Sequence, residues 1–109
     1  MAKYLITGSY TAQGTKGLLT EGGSGRRAVI EKALKGMGGK LDAMYYAYGD
    51  TDVVLIVDMP DVASGLALSL AANASGTIEV KTTPLLTIEE VDAACHKSVA
   101  YRGAGAAGV

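Results

Sequence analysis

The 109 residues contain no phenylalanine and no tryptophan, and only one cysteine, one histidine and two prolines. A single cysteine excludes a disulfide framework within the chain. Together with a single histidine it excludes a zinc site made of Cys and His alone in one subunit, and no metal is expected. No apolar run approaches the roughly 20 residues that a membrane-crossing helix needs, so no membrane partner is expected. Charge of one sign is also missing: ten basic and eleven acidic side chains leave a formal net charge of −1. That lacks the basic footprint of a nucleic-acid binder. Met1-Ala2-Lys3-Tyr4 has no signal-peptide layout, which makes a cytoplasmic location the expectation. Nothing resembles a cofactor-binding motif, and no cofactor is expected.

Apolar residues are plentiful, at 49% against 19% charged, which is the composition of a chain that buries a core. A chain of this length hides roughly two-thirds of its surface on folding. The reading is one domain over residues 1–102, followed by a small-residue flexible tail over 103–109.

Lys3 to Thr11 alternates as a strand, with Tyr4, Ile6, Gly8 and Tyr10 on one face. Gln13 to Gly25 carries five glycines and reads mainly as loop, pinned by Leu18 and Leu19. Ser24 then caps a helix from about Gly25 to Met37, with Val29, Ile30, Ala33, Leu34 and Met37 along one stripe. Leu41 to Tyr48 is a second strand, alternating Leu41, Ala43 and Tyr45 against Met44, Tyr46 and Tyr48. A turn at Gly49-Asp50 joins it to a third, Thr51 to Met59. Asp61 caps a second helix whose stripe runs Val62, Ala63, Leu66, Ala67, Leu70, Ala71 and Ala74. Thr77 to Thr83 is the fourth strand, ended by Pro84. Thr87-Ile88-Glu89-Glu90 has capping-box spacing and starts a short helix to about Lys97. The order βαββαβ plus a helix predicts an α+β fold: a ferredoxin-like sandwich with both long helices on one sheet face.

That leaves one face bare. Val53 to Val57 is apolar without interruption, whereas a sheet covered on one side should alternate. Val54, Ile56 and Met44 are therefore expected at an interface. Covering about five such side chains, at roughly 1.5–3 kcal/mol each, outweighs the cost of association. A second copy packed sheet on sheet is the expected cover, giving a homo-oligomer of the dimeric α/β-barrel type. The alternative cover is the chain's own third helix or tail.

Lys3-Tyr4-Leu5-Ile6, Ser9-Tyr10-Thr11, Lys16-Gly17-Leu18-Leu19 and Glu21-Gly22-Gly23-Ser24-Gly25-Arg26-Arg27 occur together with Gly38-Gly39-Lys40-Leu41. Tyr48-Gly49-Asp50, Asp52-Val53-Val54, Asp58-Met59-Pro60-Asp61 and Lys81-Thr82-Thr83-Pro84-Leu85-Leu86-Thr87 follow. In combination, nearly to Arg102, they resemble the GYD domain family. The resemblance implies a ferredoxin-like fold that oligomerises. The stretch Gly49-Asp50-Thr51-Asp52 departs from the family's glycine-tyrosine-aspartate signature, with Thr51 in place of the ring.

Several groups are candidates for chemistry. Arg26 and Arg27 stand at a helix start, where cations are disfavoured, after glycines whose amides suit an anion; either they bind a small anionic molecule or they pair with Glu21 or across an interface. All six aromatics are tyrosines, which suit pocket walls and subunit contacts alike; Tyr10, Tyr46 and Tyr48 are candidate ligand-binding residues. Asp50 and Asp52 flank the hairpin tip, either as a working carboxylate pair or as caps on turn amides. Asp58 either caps the second helix or pairs with a base such as Arg26. Cys95 and His96 project about 100° apart on a helix and form no dyad. Lys81 reads as a solvated strand lysine. Three functions follow: an oligomeric module binding a small anion or a protein, a metal-free small enzyme resembling ferredoxin-like monooxygenases, or a structural assembly subunit.

Overall fold

The computed structural model describes residues 2–105. The order is β1 (Ala2–Tyr10), α1 (Ala12–Gly36), β2 (Lys40–Tyr46), β3 (Val53–Met59), α2 (Val62–Ala74), β4 (Ile78–Leu85) and α3 (Ile88–Cys95). The strands form one sheet in the order β2-β3-β1-β4, and every neighbouring pair is antiparallel. Among the described residues no helix is long and apolar enough to cross a membrane. Residues 106–109 of the expected tail lie outside those described.

Alternation places the core. Tyr4 and Ile6 of β1 lie opposite Val57 and Leu55 of β3, and all four are buried together with Val53, Met59 and Leu34. Leu34 and Val57 are fully enclosed. Gly65 of α2 seats on the Tyr4 ring, where a Cβ would lie 3.2 Å from Tyr4 Cε2; the missing side chain brings that helix close to the sheet.

Three expectations change. The segment read as a loop over 13–25 is helical: α1 starts at Thr11, whose hydroxyl accepts from the Gly14 amide at 3.2 Å, and runs to Gly36 across a kink at Gly22. Gly22 has φ 73°, a left-handed conformation that glycine adopts without penalty. Thr11, rather than Ser24, is the helix cap. Glycine's low helix propensity is overridden by packing. Pro84 sits inside β4 instead of ending it; β4 is an edge strand, and a missing N–H is tolerated there.

The third change is in β2. A bulge between Leu41 and Ala43 inserts one residue and reverses the alternation beyond it. Leu41, Met44 and Tyr46 therefore align with Val57, Leu55 and Val53, while Ala43 and Tyr45 align with Ile56 and Val54. Met44, expected at the interface, instead packs against the core. Tyr45, 71% exposed, takes its place beside Val54 and Ile56 on the face away from the helices. On β3 the burial alternates strictly, with Val54 and Ile56 only partly buried between the buried positions.

Asp58, expected to cap α2 or pair with a base such as Arg26, does not cap α2 and pairs with a different base, Lys3. Its carboxylate meets Lys3 at 2.9 Å, and Lys3 also binds Asp42, the bulge residue. Lys3 and Asp58 face each other across β1 and β3, so register fixes the pair. Hydrogen bonding to Asp42 and then Asp58 holds the Lys3 ammonium above its ordinary pKa; the same Lys3 contact holds Asp42 below the usual carboxylate range. Asp61 caps α2, accepting from Ser64 N at 2.7 Å, and Thr87 with Glu90 closes the capping box of α3.

Candidate ligand cleft

At one end of the sheet β1 runs into α1 and β2 runs into the hairpin. Asp52 ties the two: its carboxylate accepts from the Tyr10 amide at 2.8 Å, its own amide donates to Gly8 O at 2.8 Å, and its carbonyl accepts from Ala47 N at 2.8 Å. These bonds set Tyr10 beside Tyr46. Above them passes the kink of α1, where Gly23 lies against the Tyr46 ring and its carbonyl accepts from the Tyr46 hydroxyl at 3.4 Å. The result is a cleft of about 380 Å³ lined by Tyr10, Thr15, Leu18, Gly23, Tyr46, Ala47 and Asp52.

Two phenols, a carboxylate and a backbone carbonyl meet apolar walls here, the usual composition of a small-molecule site. Burial, then the adjacent Tyr10 phenol, pushes the Tyr46 hydroxyl up to about 12, with Arg26 pulling the other way. The raised value has a sign for stability. Between about pH 10 and 12 the unfolded chain loses this proton more readily than the folded one, so stability present below that window is lost as pH rises through it. A spectrophotometric titration at the tyrosinate band should show one phenol ionising late, and Tyr46→Phe should remove that late step. A curve unchanged by the substitution would contradict the assignment.

Of the expected site residues, Tyr10, Tyr46 and Asp52 converge and Arg26 stands close by, bridged to Glu21 at 3.5 Å. Arg27 does not join them: neighbouring helical residues diverge by about 100°, and Arg27 pairs along α1 with Glu31 at 3.4 Å. The double-arginine anion site is therefore not assembled. Tyr48 lies past the end of β2, fully exposed. Asp50 and Asp52 are not a pair. Asp50 lies in a second hollow with Thr7, Ser9 and Lys81, where its carbonyl accepts from Ser9 Oγ at 3.2 Å.

His96 caps its own helix, with Nδ1 2.7 Å from Asp92 O, and Cys95 is exposed. Among the described residues no group of three or more His, Cys, Asp or Glu side chains is placed to hold a metal ion. Thr15, Leu18 and Gly23 were not expected in a site. Their signal was the pair Thr11 and Gly14, an N-cap spacing that extends the helix over them.

The family model for the GYD domain matches residues 4–95. No curated protein and no solved structure matches the chain.

Proposed function

The chain belongs to the GYD domain family, and from that premise we propose that it is a homo-oligomeric, ferredoxin-like ligand-binding module. Two copies pack through the sheet faces that carry Val54, Ile56 and Tyr45, and each copy holds a small aromatic acid in the Tyr10–Tyr46 cleft. The convergence of Tyr10, Tyr46 and Asp52 beneath the kink of α1 carries the binding reading. The phenol rings stack on the ligand ring. Arg26, partly exposed and held to Glu21 only at 3.5 Å, turns to the ligand's carboxylate, a charge-assisted contact stronger than a neutral one.

Thermal shift with benzoate, benzyl alcohol and benzylamine tests this. A ligand at about a hundred times its Kd adds about 2.7 kcal/mol to folding stability, so benzoate is expected to raise Tm by several degrees and by more than the other two. Tyr46→Ala should abolish the shift, and Arg26→Gln should remove the preference for the acid. Silence of all three compounds, or a benzoate shift that survives Tyr46→Ala, would end the proposal.

A further inference from the structure

Every residue from 86 to 105 is exposed. This arm carries Leu86, Ile88, Val91, Val99 and Tyr101, each between 46% and 80% exposed. The molecule measures 63 × 31 × 22 Å. The arm's helix has eight residues, fewer than the roughly 12–15 at which a helix becomes even marginally stable by itself in water. Ile88, Val91 and Cys95 fall on one stripe by their i, i+3, i+7 spacing, with Asp92 at its edge and Glu89 off it. Such a helix needs an apolar surface to lie on.

The same chain exposes one. α2 contains no charged residue, and Val62, Leu66 and Leu70, spaced four apart along one stripe, are 71%, 57% and 60% exposed. A helix apolar all round is normally buried. The arm is rooted beside that stripe, since Pro84 lines a small hollow together with Val62 and Leu66. Folding back on its own α2 is opposed by the linkage: only Leu86 and Thr87 separate β4 from α3. Thr87 is locked in the capping box, accepting from Glu90 N and donating its amide to Glu90 Oε1, both at 3.0 Å. With Thr87 held in the box, a reversal would have to be made at Leu86 alone.

We propose that α3 of one copy docks on the Val62–Leu66–Leu70 stripe of a second copy, and that the exchange is reciprocal. Roots lying next to the receiving surface let two copies related by a two-fold axis trade arms with little chain between them. This contact uses α2 and the arm, on elements other than the bare sheet face, and does not depend on the sheet-face reading or on the ligand cleft. The two contacts together carry assembly beyond a dimer.

Disulfide trapping in the full chain tests it. A tagged chain carrying Leu70→Cys and Cys95→Ser, mixed with untagged native chain and oxidised, should give a reducible tagged–untagged pair, and should still do so when both chains carry Ile56→Asp. Absence of that pair would overturn the exchange. So would a chain carrying Leu70→Cys alone, with Cys95 retained, that on oxidation closes only on itself. As a second readout, Ile88→Asp with Val91→Asp should halve the assembly mass or more in light scattering while leaving the Tm within a few degrees; an unchanged mass contradicts the proposal.

Discussion

Ile56→Asp is expected to weaken self-association through the sheet face about a thousandfold while leaving the subunit folded. Ile56 lies between Leu5 of β1 and Ala43 of β2 in the register, near the middle of the face opposite the helices, and is partly buried in the single chain. Its removal leaves the core of Leu55, Val57 and their partners intact. A two-fold interface repeats each substitution, so one change buries two carboxylates without partners. At about 2 kcal/mol for each, the low end for a buried polar group left unpaired, the pair amounts to about 4 kcal/mol, or roughly a thousandfold in Kd. Sedimentation at micromolar concentration of chains that also carry Ile88→Asp and Val91→Asp, so that the arm contact is removed, should show a folded monomer. The same arm-deficient chain with Ile56 intact should remain a dimer. Equal masses for the two would mean that the sheet face is not an interface.

Gly14→Ala and Gly17→Ala, three residues apart on one helix, are expected to change stability in opposite directions. A Cβ on Gly14 would lie 1.8 Å from Thr77 O and 2.9 Å from Tyr10 Cδ1. That carbonyl already accepts from Thr11 N at 2.9 Å, so either the first turn of α1 or the entry to β4 must move. Overpacking against backbone costs about 3 kcal/mol, the upper part of its usual range, and for a domain of this size that lowers Tm by roughly 10–20 °C. The displaced Tyr10 ring should also weaken benzoate binding. A Cβ on Gly17 meets nothing nearer than Glu21 Oε2 at 3.9 Å. Alanine there is expected to add about 0.5–1 kcal/mol by removing the helix penalty of glycine. Circular dichroism melts of the two variants decide it; destabilisation by both would mean that the segment is not the helix described.

The candidate cleft was partly legible before the structure. Tyr10, Tyr46 and Asp52 could be singled out by residue type and by their places at strand ends, but nothing in their spacing says that they meet. Tyr10 and Asp52 are 42 residues apart and are joined by a hydrogen bond that exists only once β1 and β3 have paired. Arg26 and Arg27 look equivalent in the sequence, yet helix rotation sends one toward Glu21 and the other toward Glu31. Helical geometry predicts their divergence, since both stand in the helix expected from Gly25; only its extension back to Ala12 was hidden by the glycines.

Sequence alone determined the period of β1, β3 and β4, the caps at Asp61 and Thr87, and the surplus of apolar side chains on β3. These are local properties, fixed by residue type and by the two-residue or 3.6-residue repeat of the backbone. Tertiary structure decided the rest. The bulge at Asp42 transferred Met44 to the core and Tyr45 to the open face, because a single inserted residue reverses every later side chain in a strand. At the start of the glycine-rich stretch that became helix, Gly14 lies against the Thr77 carbonyl, a long-range contact that no local propensity contains. Lys3 chose Asp58 and Asp42 because strand register, which the whole sheet sets cooperatively, placed their charges within reach.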